Sequence, residues 1–156
     1  MRIGTGIDIH VHDESRNLFI GTVNIDGPGF LAHSDGDIVV HALIDALLSA
    51  SGLGDIGEIF PSEDKKWAGA SGEALLRITK DLILKAGLIV ENIDIIVISN
   101  TIKISSIKEE IVLSLTKILD LDPKSLSVKG KTTNGTTFIN GENASAAFAT
   151  VLGRFA

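Results

Sequence analysis

The sequence predicts an α/β fold of the α+β type, a mixed β-sheet with three helices packed on one of its faces. Apolar residues recur at helical spacing in three stretches, about 35–51, 71–86 and 106–119. Alternating or β-branched runs surround them at 2–11, 17–25, 92–99, 126–133 and 144–155. The chain has 156 residues and no internal repeat or low-complexity linker, so residues 1–156 read as one domain.

Residues 2–11 alternate and read as a strand, and 17–25 as a second strand broken by Gly21. The helix over about 35–51 carries Val40, Leu43, Ile44 and Leu47 as its apolar stripe and ends at Gly52. Three glycines and Pro61 make 52–61 a loop. Ser71 can cap a helix running to about Ala86, with Leu75, Leu76, Ile78, Leu82 and Ile83 on its apolar side and Gly87 as its stop. Asn92–Ser99 is a β-branched strand. In 106–119, Ile107, Ile111, Leu115 and Ile118 hold helical spacing, and Asp122-Pro123 follows. Leu126–Thr133 and Ala144–Phe155 complete the sheet. The last strand is rich in small residues and nearly free of charge, which suits a strand covered on both faces. Three helices cover only one side, so association with other copies is the natural cover for the second.

Composition narrows the function. An apolar fraction of 44% and mean hydropathy of +0.32 fit a compact or oligomeric protein. A net charge of −6 argues against nucleic acid as a partner, because phosphate backbones demand clustered Lys and Arg. Without cysteine there is no disulfide, thiolate metal site or cysteine nucleophile. No apolar run reaches membrane-spanning length, and the N-terminus has no charged-then-apolar leader pattern. A soluble cytoplasmic protein with no membrane partner is expected.

The chemistry is concentrated near the N-terminus. All four histidines (His10, His12, His33, His41) lie between residues 10 and 41. Strand alternation puts Asp8 and His10 on one face, and His41 can close the set from the following helix. Asp-x-His in a strand is common, and a lone helical histidine is more often a packing residue. Here, however, His41 lies at the edge of the buried stripe, in line with Asp37 and Asp45 one turn away on either side. Such a carboxylate would fix the tautomer of a ligating imidazole. One carboxylate and two imidazoles with an open position describe a catalytic zinc site. They also describe the facial triad of a non-haem iron enzyme, so a metal analysis discriminates between the two.

Anion sites follow. His33-Ser34-Asp35-Gly36-Asp37 offers a hydroxyl and backbone N–H groups before a helix, although Ser34 or Asp35 also suits the simpler role of N-cap. Gly52–Gly57 could wrap a sugar or diphosphate with Asp55 accepting from hydroxyls, or be an ordinary surface loop. Lys129-Gly-Lys-Thr-Thr-Asn-Gly-Thr-Thr supplies ammonium and hydroxyl groups after a strand but lacks the Walker spacing.

In order, Arg2–His10 (Arg-Ile-Gly-Thr-Gly-Ile-Asp-Ile-His), Leu31–Leu48 (Leu-Ala-His-Ser-Asp-Gly-Asp-Ile-Val-Val-His-Ala-Leu-Ile-Asp-Ala-Leu-Leu) and Gly54–Pro61 (Gly-Asp-Ile-Gly-Glu-Ile-Phe-Pro) resemble the 2-C-methyl-D-erythritol 2,4-cyclodiphosphate synthases of the non-mevalonate isoprenoid pathway. The likeness runs over nearly the whole chain. It implies a homotrimer with sheets facing inward, and cyclisation of 4-diphosphocytidyl-2-C-methyl-D-erythritol 2-phosphate with release of CMP, a phosphorus–oxygen lyase reaction. Zn²⁺ or another divalent ion would sit on Asp8, His10 and His41, and Mg²⁺ or Mn²⁺ would bridge the substrate phosphates. The resemblance makes His33 and Thr132 the transition-state contacts. It gives substrate contacts to Asp8, His10, His33, Ser34, Asp55, Ile56, Gly57, Ser62, Asp64, Asn100, Thr101, Lys103, Ile104, Lys131, Thr132, Thr133, Asn134 and Phe138.

Four departures from the family pattern fall near this site. Asn134 stands where an acidic ligand of the second ion is usual, and an arginine usual near Asn140–Gly141 is missing. Ile102 replaces a proline, and Ser62 replaces an aspartate. These departures motivate a rival reading, a homologue that keeps metal and nucleotide but turns over weakly.

Overall fold

The structure is a computed structural model and describes residues 1–136 and 143–156. Its strands are β1 (Arg2–Asp13), β2 (Leu18–Ile20), β3 (Val23–Ile25), β4 (Gly29–Phe30), β5 (Leu88–Ile98), β6 (Leu126–Lys131) and β7 (Ala144–Phe155). The helices are α1 (Ile38–Ser51), α2 (Ile56–Ile59), α3 (Gly72–Lys85) and α4 (Lys108–Leu119). The main sheet runs β4-β1-β7-β5-β6; β7 is antiparallel to both neighbours, and β5 and β6 are parallel. This is the expected mixed sheet with helices laid on one face.

α1 is the helix that positions the site, and two glycines let it do so. A Cβ on Gly4 would stand 1.9 Å from the Ala46 carbonyl oxygen, and one on Gly6 2.0 Å from that of Ala42. Ala42, Ala46 and Ala50, all buried, are the small residues facing that contact. Glycine on the strand and alanine on the helix together bring the two backbones closer than ordinary side chains allow. α1 is therefore buried on nearly every side, not along one stripe as the helical spacing suggested. Leu43, Ile44, Leu47 and Leu48 are wholly buried, each contributing about 1.5–3 kcal/mol.

On the other face, cross-strand partners put Ile3 beside Leu152, Ile7 beside Phe148 and Ile9 beside Ala146. Ile3, Ile7, Ile9 and Val11 are exposed there, and no helix of the described residues covers them. β7 is the central strand, and Ala147, Ala149 and Val151 lie buried on the helix side.

Several boundaries shift for local reasons. Residues 17–25 form a hairpin, not one strand, because Gly21 and Thr22 both take positive φ (59° and 68°), as a two-residue turn requires. α1 starts at Ile38, with Asp37 as its N-cap instead of Ser34 or Asp35. The 52–61 loop contains α2, capped by Asp55. β5 begins at Leu88, directly after Gly87, with a bulge between Val90 and Asn92. A 3₁₀ turn at Ile104–Ser106 precedes α4, which starts at Lys108, and β6 stops at Lys131, short of Thr133.

Candidate metal centre and its neighbouring cavities

Asp8 and His10 share the helix-facing side of β1, as alternation predicts, and α1 lowers His41 onto them. The three offer ligand atoms that all lie within 4.8 Å of one another, the only such cluster among the described residues. Asp8 Oδ2 is 3.0 Å from His10 Nε2 and 3.0 Å from His41 Nδ1.

The outer nitrogens decide whether this set fits a metal. His10 Nδ1 lies 3.1 Å from the Leu31 carbonyl oxygen, which can only accept, so Nδ1 carries the proton. His41 Nε2 lies 3.0 Å from Ser34 Oγ and can donate to it. The remaining nitrogens, His10 Nε2 and His41 Nδ1, converge on Asp8: protonated, they donate to its carboxylate, and once deprotonated each has a lone pair for a metal. One carboxylate and two such imidazoles fit a divalent ion of the zinc class. The expected tautomer-fixing carboxylate is thus replaced by the Ser34 hydroxyl. Asp37 and Asp45 are occupied elsewhere. Asp37 accepts from the N–H groups of Gly21, Thr22, Val39 and Val40, and Asp45 from that of Ile56.

Burial pushes the Asp8 carboxyl up, but hydrogen bonds from His10 and His41 and their charge outweigh it and hold its pKa below the ordinary value. Burial pulls His41 down, and the Asp8 hydrogen bond with the charges of Asp8, Asp37 and Asp35 overcomes it and raises the imidazole. Burial raises Asp37 and Asp45, against the backbone donors each accepts. The surroundings of His41 are therefore strongly electronegative, as a cation site requires.

A cavity of about 220 Å³ opens beside these ligands, with His10, His33, Ser34, His41, Ile56, Gly57 and Ser62 on its walls. Phe60, Trp67 and Leu75 give it an apolar side that the sequence reading missed. Trp67 is the chain's single tryptophan, and the ring of Phe60 meets it edge-on at 4.9 Å. The stretch carrying Trp67 is strapped to the His33 loop, because Gly69 N–H donates to the His33 carbonyl and Asp35 N–H to that of Ala70. Asp55 and Asp64 lie off this wall. Asp55 Oδ1 caps α2 at Glu58 N–H, and Asp64 Oδ1 caps the turn at Lys66 N–H.

A second cavity, of about 440 Å³, lies at the C-terminal ends of β5 and β6. Lys103, Ile104, Lys131 and Thr132 line it as expected, with Lys129 of the same Lys-Thr stretch, and they are joined by Lys108, which the sequence reading passed over. Four lysines around one hollow suit an anion. Asn100, Thr101, Thr133 and Asn134 do not line it. Asn100 instead clamps two loops, donating to Thr133 Oγ1 and accepting from Thr133 N–H. Asn134 has φ of 50°, a left-handed position that asparagine tolerates, and accepts from Thr132 Oγ1 at 2.9 Å. Phe138, and the Asn140–Gly141 stretch where an arginine was expected, lie outside the described residues.

The two cavities share the sheet without merging. Asp8 pairs with Ala147, Ala147 with Val97, and Val97 with Gly130. Three strand spacings separate the ligand strand from β6, roughly 14 Å.

Comparison with known proteins agrees with this arrangement. The YgbB family model matches residues 1–154. The 2-C-methyl-D-erythritol 2,4-cyclodiphosphate synthase of Clostridium acetobutylicum is 44% identical over 139 residues, covering 88% of this chain and 90% of that protein. Among solved structures, IspF of Plasmodium falciparum in complex with CDP is 38% identical with a TM-score of 0.85, covering 99% of this chain and 96% of that one. The bifunctional IspDF of Campylobacter jejuni is 36% identical with a TM-score of 0.94, covering 99% of this chain and 42% of the longer one. With its site geometry, its sheet and nearly its whole length in agreement, the chain belongs to the YgbB family, that of the 2-C-methyl-D-erythritol 2,4-cyclodiphosphate synthases.

Proposed function

We propose that this protein is a phosphorus–oxygen lyase that cyclises 4-diphosphocytidyl-2-C-methyl-D-erythritol 2-phosphate to the 2,4-cyclodiphosphate, releasing CMP. The observation that carries the reading is the convergence of His10 Nε2 and His41 Nδ1 on Asp8, beside a cavity that bears His33 and Ser34. Family membership supplies the substrate class. The fold acts as one domain over residues 1–156 in the cytoplasm; no helix of the described residues is long and apolar enough to cross a membrane.

The 2-phosphate oxygen attacks the β-phosphorus; the new P–O bond forms as the bridge to the α-phosphate breaks, and CMP leaves with the electron pair. Such a transfer needs alignment and neutralised charge more than covalent help. Asp8, His10 and His41 would hold Zn²⁺, which with Mg²⁺ or Mn²⁺ bound alongside the substrate would supply that neutralisation as a Lewis acid. His33, exposed at the cavity mouth, and Ser34 contact the phosphates and the methylerythritol portion. Ile56 and Gly57 hold the ribose with Asp55, whose second carboxylate oxygen is left over from capping α2. Ser62 and Asp64 close the loop side. Lys103, Ile104, Lys131 and Thr132 receive the cytidine and its phosphates, with Asn100, Thr101, Thr133, Asn134 and Phe138 around them. Thr132 joins His33 at the transition state.

The two cavities belong to different reaction sites in this reading. Three copies associate through the bare apolar sheet face, and each site pairs the metal half of one copy with the lysine-lined half of its neighbour. The exposed Ile3, Ile7, Ile9 and Val11 support the association. The test is turnover followed by ³¹P NMR. Loss of the diphosphate signals with matching growth of cyclodiphosphate and CMP is expected with Zn²⁺ and Mg²⁺ present. Intact substrate after prolonged incubation of metal-loaded protein contradicts the reading and favours the weakened homologue that Asn134 suggests.

A further inference from the structure

His12 is the one histidine the proposed chemistry leaves unused, and it heads a hydrogen-bonded chain that crosses the sheet. Its Nδ1 lies 3.1 Å from the Pro28 carbonyl oxygen, and its Nε2 2.8 Å from Ser145 Oγ. Ser145, fully buried on β7, has its Oγ 2.7 Å from Ser99 Oγ at the end of β5. Ser99 Oγ in turn accepts the backbone N–H groups of Thr101 and Ile102, at 3.1 and 2.9 Å. The chain thus runs from β4's approach, through β1 and β7, to the loop that carries Lys103.

The Ser145 hydroxyl donates to Ser99 Oγ, so the chain runs from the imidazole toward the turn. The Pro28 carbonyl only accepts, so His12 Nδ1 donates to it. Removing the imidazole leaves the buried Ser145 hydroxyl without its second partner, and such a loss is resolved by rotation of the hydroxyls next in line. The element next in line is the turn held by Ser99. Asn100, in the same turn, is the residue that clamps Thr133. Rotation at Ser99 therefore reaches both walls of the larger cavity.

We propose that His12 is a positioning residue for the nucleotide pocket, holding the Ser99–Lys103 turn through Ser145 and Ser99. The proposal rests on the functional reading above, because it takes the larger cavity to receive a cytidine nucleotide. His12 touches no substrate in this scheme. It acts through Ser99, which lines the cavity, from two strands away.

The decisive variant is His12→Phe, which preserves the ring that stacks on Phe30 at 4.7 Å and deletes both polar contacts. CDP affinity by calorimetry, bound zinc and steady-state kinetics are measured for the wild type, His12→Phe, His12→Gln, Ser99→Ala and the His12→Phe/Ser99→Ala double variant. His12→Phe should weaken CDP binding and raise KM about tenfold, as the loss of one buried hydrogen-bond link does, with kcat and zinc content nearly unchanged. His12→Gln, whose amide can still hydrogen-bond Ser145, should restore most of the affinity. The double variant should be no weaker than Ser99→Ala alone, because both changes cut one chain. Wild-type affinity in His12→Phe, additive losses in the double variant, or loss of zinc in His12→Phe each overturn the positioning role. Absence of CDP binding by the wild type overturns the functional reading itself, and this inference with it.

Discussion

His41 concentrates the site's chemistry at the residue scale. It is the only ligand supplied by a helix, and its free nitrogen points at Asp8 because Ser34 engages the other. His41→Ala should release zinc and abolish turnover while the protein stays folded; full zinc occupancy in that variant, by metal analysis, contradicts the ligand assignment. Asp37 has the opposite character, a carboxylate spent wholly on structure. Asp37→Ala orphans four backbone donors and should cost about 3 kcal/mol in urea unfolding. Asp37→Asn should cost about 1–2 kcal/mol, because its NH₂ must face the Thr22 N–H. Equal stabilities of the two variants would refute that division. Asn134→Asp restores a carboxylate beside Thr132 and should lower the Mg²⁺ concentration giving half-maximal rate. An unchanged or higher requirement shows that this residue does not face the second ion.

Elements decide where those residues stand. Gly6→Ala places a Cβ 2.0 Å from the Ala42 carbonyl, so α1 must move away from β1. The variant should lose about 2 kcal/mol or more of stability. It should also weaken zinc binding, because His41 moves with the helix. Wild-type zinc affinity in a titration would show that the close approach does not set the ligand geometry. In the parallel β5–β6 pair, Asp94 joins Ser127 and Lys129. Its slight burial pushes the carboxyl up, and the hydrogen bonds from Lys129 and Ser127 outweigh that, leaving the pKa below 3.8. A lowered carboxylate stabilises above its unfolded value and loses that contribution as pH falls through the folded value. Asp94→Asn should therefore be the less stable protein at neutral pH, with the gap closing below about pH 4. A pH-independent gap in urea midpoints contradicts this. Much at this scale was legible in advance. Alternation placed Asp8 and His10 on one face, and Ser71, Gly52 and Gly87 marked helix ends correctly. Three-residue strands carry too little pattern to announce the 18–25 hairpin, and a helix buried all round shows no stripe to mark its start. The glycines of β1 could be read only once the helix lying across them was known.

The whole molecule assembles what no local pattern reports. Sequence order gives no sign that His12, Ser145 and Ser99 touch, because the contact depends on β7 lying between β1 and β5. Nor does it reveal that Asp8 and Gly130 share one rung of the sheet while opening onto separate cavities. That separation, with the bare apolar face, makes a site divided between copies the central claim. Asp8→Ala disables the metal half and Thr132→Val the lysine-lined half. Each variant alone should turn over poorly. Unfolded and reassembled together, they form some sites with both halves intact, so the mixture should recover a substantial part of wild-type activity. Verified mixed assemblies with no more activity than the two variants measured apart, or a monomeric mass at working concentration, would contradict the account.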